Sequence, residues 1–169
     1  MLKEIRNRHS IRRYTEEKIE RKDIVKLLKA AMQAPTAKNE QSWRFIVVDD
    51  EKALKKMATF SPNTPMLNDA KAAIVVMGDT TINRKEYIYV DCAAAIENIL
   101  LEATYIGIGA CWCAIGPNKD RIDNYMSFFK LKKKLLPVAV IALGYPAEEK
   151  EFIDRYDENK VIWWEEKDV

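Results

Sequence analysis

At 169 residues, 48% of them hydrophobic, the chain can bury a sizeable core but is short for two independent domains, so one domain over residues 1–169 is expected. Lys and Arg number 28 against 26 Asp and Glu, and a net charge of +2 supplies no global field for nucleic acid or an anionic membrane. The apolar runs near Ala72 to Met77 and Pro137 to Leu143 are too short to span a bilayer, which leaves a soluble, cytoplasmic protein as the expectation.

Leu2 to Arg8 reads as a short helix, followed by Arg8-His9-Ser10-Ile11-Arg12-Arg13. Three arginines and a hydroxyl within six residues suit a monophosphate, because a guanidinium offers two parallel donors; the plain alternative is a solvated basic turn. From Glu20 to Met32 the apolar residues Ile24, Leu27, Leu28, Ala31 and Met32 repeat at helical spacing, and Pro35 stops the pattern. The ten residues from Ala34 to Trp43 then form a polar corner between this helix and a strand predicted over Trp43 to Val48. Such a corner is either a connector or a ligand loop held by two rigid elements.

Asp49 or Asp50 can cap a helix holding Ala53, Leu54 and Met57, and Ala72 to Met77 reads as a buried strand. Tyr87 to Ile106 is the longest helical pattern, with small Ala93, Ala94 and Ala95 permitting close approach of another helix. Gly107 can end it in the left-handed conformation, ahead of an apolar run from Gly109 to Ile115. Gly107 and Gly109 follow a helix and lack a third glycine, so they are not a dinucleotide fingerprint. Asn118 can cap a helix through Phe129, and Pro137 to Leu143 is a further strand. The charged tail after Ala147 holds Phe152, Tyr156, Trp163 and Trp164, too aromatic for simple disorder, and is expected to pack on something. Strands separated by long helical segments predict layered α/β packing.

Cys92, Cys111 and Cys113 are an odd number without a C-x-x-C pair, so reduced, buried thiols are expected and a structural metal is not. His9 is the only histidine, and nothing places an orienting acid for a triad with Ser10.

Arg8-His9-Ser10-Ile11-Arg12, the Ala34 to Trp43 corner, Gly107 to Trp112 after a long helix, and Pro137 to Pro146 together resemble the nitroreductase family of FMN flavoproteins over almost the whole chain. The resemblance implies an α+β fold of three layers, α/β/α, with a mostly antiparallel central sheet between helices, in an intertwined homodimer carrying FMN at its interface. Arg8 and Ser10 would hold the FMN phosphate, His9 would lie along the ribityl chain, and Arg12 would face the pyrimidine edge. Pro35, Thr36, Ala37 and Asn39 would come from the other subunit and cover the ring. Asn63 would meet the ring's polar edge, the backbone at Cys113 and Ala114 would direct an amide toward N5 with Ile115 beside it, and Arg155 would return to the phosphate.

The function so implied is a ping-pong, two-electron oxidoreductase in which NADH or NADPH reduces FMN and a nitroaromatic, quinone or related small acceptor is reduced in turn. No catalytic side chain is required. Alternatives are a flavin-assisted elimination or fragmentation enzyme and a non-enzymatic flavin-binding or storage protein. Two departures from the family pattern fall in the corner: Lys38 stands where a small residue, often glycine, is usual, and Ser42 replaces a proline. Residues 79–86 and 117–134 are short compared with the lid-forming regions of larger members, which predicts a reduced lid and a more open site.

Overall fold

Apolar runs become strands here, and their alternation assigns each side chain to one of two cores. The computed structural model describes residues 1–164. Its elements are α1 (Lys3–Asn7), α2 (Arg21–Ala31), β1 (Trp43–Val48), α3 (Glu51–Ala58), β2 (Ala72–Asp79), α4 (Lys85–Tyr105), β3 (Gly109–Ala114), α5 (Lys119–Phe128) and β4 (Leu135–Gly144). The β1 bounds coincide with those predicted from the sequence, while β2 and β4 run a few residues beyond their apolar cores.

The four strands form one sheet in the order β1-β2-β4-β3, antiparallel throughout. On β2, Ile74 and Val76 face α2 and α4, while Ala73, Val75 and Met77 face the side of α3 and α5. This period of two puts helices on both faces and makes the α/β/α layering expected from the sequence. Central β2 is buried along its whole length and β4 along nearly all of it, which accounts for their continuous apolar sequences.

Local signals set the helix boundaries. Asp50 accepts the Ala53 amide and Asn118 accepts the Arg121 amide, capping α3 and α5 as predicted. Gly107 takes φ 78° just after α4, the conformation that glycine adopts without steric cost. At Gly78 α4 packs directly on the sheet: a Cβ there would lie 2.2 Å from Cγ2 of Ile88. All three cysteines are free and buried, as expected.

Among the described residues no helix is long and apolar enough to cross a membrane. Among the described residues, the tail returns to the body only at its start. Arg6 lies 4.7 Å from the centroid of the Phe152 ring, whereas Tyr156, Ile162, Trp163 and Trp164 are exposed.

Candidate active site

The basic segment after α1 lies along the β3 edge of the sheet. Ser10 bridges Ala110 in parallel, and the Ile11 amide donates to the Ala110 carbonyl at 3.0 Å. Odd positions of β3 turn their backbone groups inward, and just past the strand the Ile115 amide does the same in donating to Val138 at 3.0 Å. Alternation along an antiparallel strand therefore turns the Ala114 N–H outward, away from β4. The Ala114 carbonyl points the same way and accepts from Arg121 Nη1 at 3.1 Å.

That outward edge opens on a cavity of about 430 Å³ lined by Arg12, Asn63, Met66, Cys113, Ala114 and Arg121, among others. Arg12, Asn63, Cys113 and Ala114, singled out from the sequence, thus meet in one place. Ile115, one residue past β3, is buried in the core. Arg12 is held by its backbone: Glu148 Oε1 accepts its amide at 2.6 Å and that of Arg13 at 3.3 Å. Lys150 pairs with Glu148 Oε2 at 2.8 Å, and this ion pair together with the Arg12 amide pulls the Glu148 carboxyl below its usual range. The Arg12 side chain donates from Nη1 to the Ser10 carbonyl at 3.4 Å. Two guanidinium groups, an amide side chain and a free backbone N–H around one opening suit a planar ligand with a polar, anionic edge.

Beside it, His9 lines a second cavity of about 350 Å³ with Ile11, Thr104 and Glu148, which Arg8 and Ser10 do not line. His9 ties the tail to the basic segment, with Nδ1 2.8 Å from the Asn7 carbonyl and Nε2 3.1 Å from that of Glu151. Arg8 reaches Glu97 of α4 at 3.7 Å. Arg155 is exposed on the tail and lines neither cavity.

The corner lies elsewhere. Lys38, Asn39 and Gln41 have φ 53°, 56° and 49°. Each left-handed non-glycine residue costs about 1 kcal/mol or more, so this backbone stores strain. It also gives the physical reason why glycine suits position 38. Thr36 Oγ1 accepts the Gln41 amide at 3.1 Å, Asn39 Oδ1 accepts from Gln41 Nε2 at 2.9 Å, and Asp91 Oδ1 accepts the Ala37 amide at 3.0 Å. Ser42 is fully buried and its hydroxyl has no hydrogen-bond partner among the described residues, as in a slot shaped for an apolar side chain. Ala37 and Lys38 line a third cavity, about 570 Å³, whose other wall is Thr80 to Arg84.

The two predicted groups do not meet within one protomer. Trp43 pairs with Gly78 at the start of β1, whereas Ala110 pairs with Leu143 of β4, whose partner on β2 is Ala72. Three strand spacings, about 14 Å, and six residue steps, about 20 Å, separate Trp43 from Ala110 across and along the sheet. Pro35, Thr36, Ala37 and Asn39 therefore lead into the opposite edge strand from the β3 site, and into the opposite end of the sheet from Ser10.

Sequence reasoning passed over three residues. Arg121 and Glu148 lay in charged stretches that resemble solvated surface, and nothing local marked them. Asp91 did carry a signal: it stands on the buried stripe of α4 with Ile88, Cys92, Ala95 and Ile99, where every neighbour is apolar or small.

A sequence model described as the nitroreductase family matches residues 5–62 and 61–145. A protein of Archaeoglobus fulgidus, provisionally named an NADH dehydrogenase/NAD(P)H nitroreductase, is 42% identical over 165 residues, covering 95% of each chain. A solved structure from Clostridium acetobutylicum, provisionally named an NADH oxidase, is 43% identical with a TM-score of 0.91 over 94% of this chain and 97% of that one. The FMN-dependent nitroreductase of Clostridium difficile R20291 is 29% identical, with a TM-score of 0.91 over 96% and 98% of the two chains. Matched along most of its length in both sequence and fold, the chain belongs to the nitroreductase family.

Proposed function

We propose that this protein is an FMN-dependent oxidoreductase that uses NADH or NADPH to reduce nitroaromatics, quinones or related small acceptors in two-electron, ping-pong turnover. The observation that carries the reading is the cavity at the β3 edge, where Arg12, Asn63 and the outward Ala114 N–H converge. Relatives named as NAD(P)H nitroreductases and as FMN-dependent support the same chemistry.

The residues present fit the cofactor. Bound FMN supplies two-electron transfer between a nicotinamide donor and an acceptor. Arg12 offers positive charge to the anionic edge of the ring system, and such fixed charge is most useful where negative charge grows during reaction. The Ala114 N–H and Asn63 orient the ring, while Arg8 and Ser10 serve the phosphate, His9 lies along the ribityl chain, and Arg155 serves the phosphate from the tail. Cys113 and Ile115 act through the backbone of β3. No side chain exchanges a proton with substrate in this scheme.

Pro35, Thr36, Ala37 and Asn39 complete the site from a second copy, which makes the working unit a homodimer. The separation of the two groups in one protomer supports this, and so do exposed apolar side chains such as Ile5, Tyr87, Val90, Tyr105 and Trp163, which a partner would cover. The 79–86 and 117–134 segments leave the site open to acceptors of varied shape; a dimer structure with the flavin face fully covered would refute that point.

The experiment is an anaerobic half-reaction. Purified protein reconstituted with FMN should bleach with NADH or NADPH and regain its yellow band on adding 1,4-benzoquinone. Protein that binds FMN and does not bleach is a storage protein; protein that cannot be reconstituted overturns the flavin reading.

A further inference from the structure

The corner needs something to hold it, and its own residues are not enough. With left-handed backbone at Lys38, Asn39 and Gln41, it persists only where its surroundings over-determine it. The Thr36 to Gln41 and Asn39 to Gln41 hydrogen bonds close the loop upon itself, and Arg44 Nη1 donates to the Gln41 carbonyl at 3.3 Å from just beyond it. Those contacts shape the loop without placing it on the body. Among the described residues, one hydrogen bond from a distant element reaches 35–41: the Ala37 amide donates to Oδ1 of Asp91, 54 positions away on α4.

Asp91 is 4% exposed and has no ion pair among the described residues. Its other oxygen, Oδ2, accepts from Asn83 Nδ2 at 3.3 Å, and Asn83 Oδ1 in turn accepts the Arg84 amide at 2.8 Å. Burying a carboxyl group is costly unless its oxygens are satisfied, and these donors are the ones that satisfy it. Asn83 belongs to the opposite wall of the cavity of about 570 Å³ that Ala37 and Lys38 line. That wall is anchored separately: Asp79 accepts the Thr81 amide at 3.0 Å, the Thr81 hydroxyl at 2.6 Å and Lys134 Nζ at 2.7 Å.

We propose that Asp91 is a positioning residue: one oxygen seats the corner that covers the flavin of a second copy, the other holds the facing loop, and together they set the width of the acceptor opening. This rests on the flavin dimer described above. Asp91 touches neither cofactor nor acceptor in that scheme and acts through Ala37 and Asn83.

Asp91→Ala, Asp91→Asn and Asn83→Ala test it in the FMN-loaded protein. Asp91→Ala is expected to raise the FMN Kd and the KM for 1,4-benzoquinone about tenfold, with kcat changed less. Hydrogen exchange of the 36–41 amides should quicken at least tenfold by the general relation between lost protection and opening. Asp91→Asn keeps the oxygen that accepts the Ala37 amide, so it should restore exchange and FMN Kd to within about threefold of the parent, as expected for one retained hydrogen bond. Asn83→Ala should raise the KM and leave the FMN Kd unchanged. Asp91→Ala with parental FMN Kd, KM and corner exchange, whatever its melting temperature, overturns the proposal, as does Asp91→Asn as impaired as Asp91→Ala. If Asp91→Ala does not fold, Asn83→Ala decides, and an unchanged KM overturns the two-wall role. Failure of the parent protein to bind FMN counts against the proposed function, whereas the exchange measurement on the apo protein still judges the seating of the corner.

Discussion

Arg12, Ala114 and Arg121 reach their cavity from a regular edge strand and from elements packed beside it, whereas Ala37 and Asn39 sit in a loop with three left-handed residues, pinned by a remote side chain. Each half has a carboxyl group accepting backbone N–H: Glu148 for Arg12 and Arg13, Asp91 for Ala37. The strand half inherits its geometry from the ladder, so a side chain can change with little loss of shape. The corner half stores strain, so its shape depends on a few named hydrogen bonds. Strength of placement therefore comes from the sheet on one side and from polar anchors on the other.

The largest effect is expected from crossing the halves. Arg12→Ala and Asn39→Ala homodimers should each lose activity, Arg12→Ala by about 100-fold, the scale of removing one preorganised charge or donor. Co-expressed as a heterodimer they should recover close to half the parental activity, because one of the two sites then receives Arg12 from one chain and Asn39 from the other. No recovery in a purified heterodimer would place both halves on one chain.

A smaller loss is expected on the strand side from Glu148→Ala, which unties the Arg12 backbone. Stability should fall by about 1.5–3 kcal/mol, the range for hydrogen bonds to a charged group, and FMN should bind more weakly. Melting curves and FMN titration would check both; parental values would remove Glu148 from the role. The same contact predicts a pH dependence. The Glu148 carboxyl is held low, chiefly by Lys150 and then by the Arg12 amide, and Asp79 is held low by Lys134 and Thr81. A carboxyl with a lowered folded value stabilises the protein fully above its ordinary range and loses that contribution as pH falls through the folded value. Melting temperature should therefore decline on acidification from roughly pH 6 to 3, across the ordinary carboxylate range and below it. In Glu148→Ala the decline should be shallower.

The smallest effects belong to the corner's departures from the family pattern. Lys38→Gly relieves a left-handed side-chain clash and should stabilise by about 0.5–1 kcal/mol, since glycine's extra chain entropy cancels part of the gain. Ser42→Ala removes a buried hydroxyl without a partner among the described residues and should stabilise by about 1 kcal/mol. Destabilisation by Lys38→Gly, in thermal or urea melts, would mean that the corner is not strained in the way its dihedral angles imply, and destabilisation by Ser42→Ala that the buried hydroxyl is satisfied.

Much of the fold was legible because it depends on short-range chemistry. Alternation and apolar runs located the strands, Asp50 and Asn118 marked two helix starts, and Gly107 marked the end of the longest helix. Arg12, Asn63, Cys113 and Ala114 could be named from motifs because motifs record which residue types recur near a ligand. Glu148 and Arg121 could not, because a charged residue in a charged stretch looks the same whether it faces water or clamps a backbone 136 positions away.

By itself, the sequence determined the elements, the two faces of the sheet and the candidate residues of both halves, since periodicity and caps act over a few residues. The tertiary structure alone decided that the halves stand at opposite edges of one sheet, that the Ala114 amide turns outward, and that Asp91 reaches Ala37. Strand order, ladder register and long-range hydrogen bonds are set by how distant segments pack, and no local pattern encodes them.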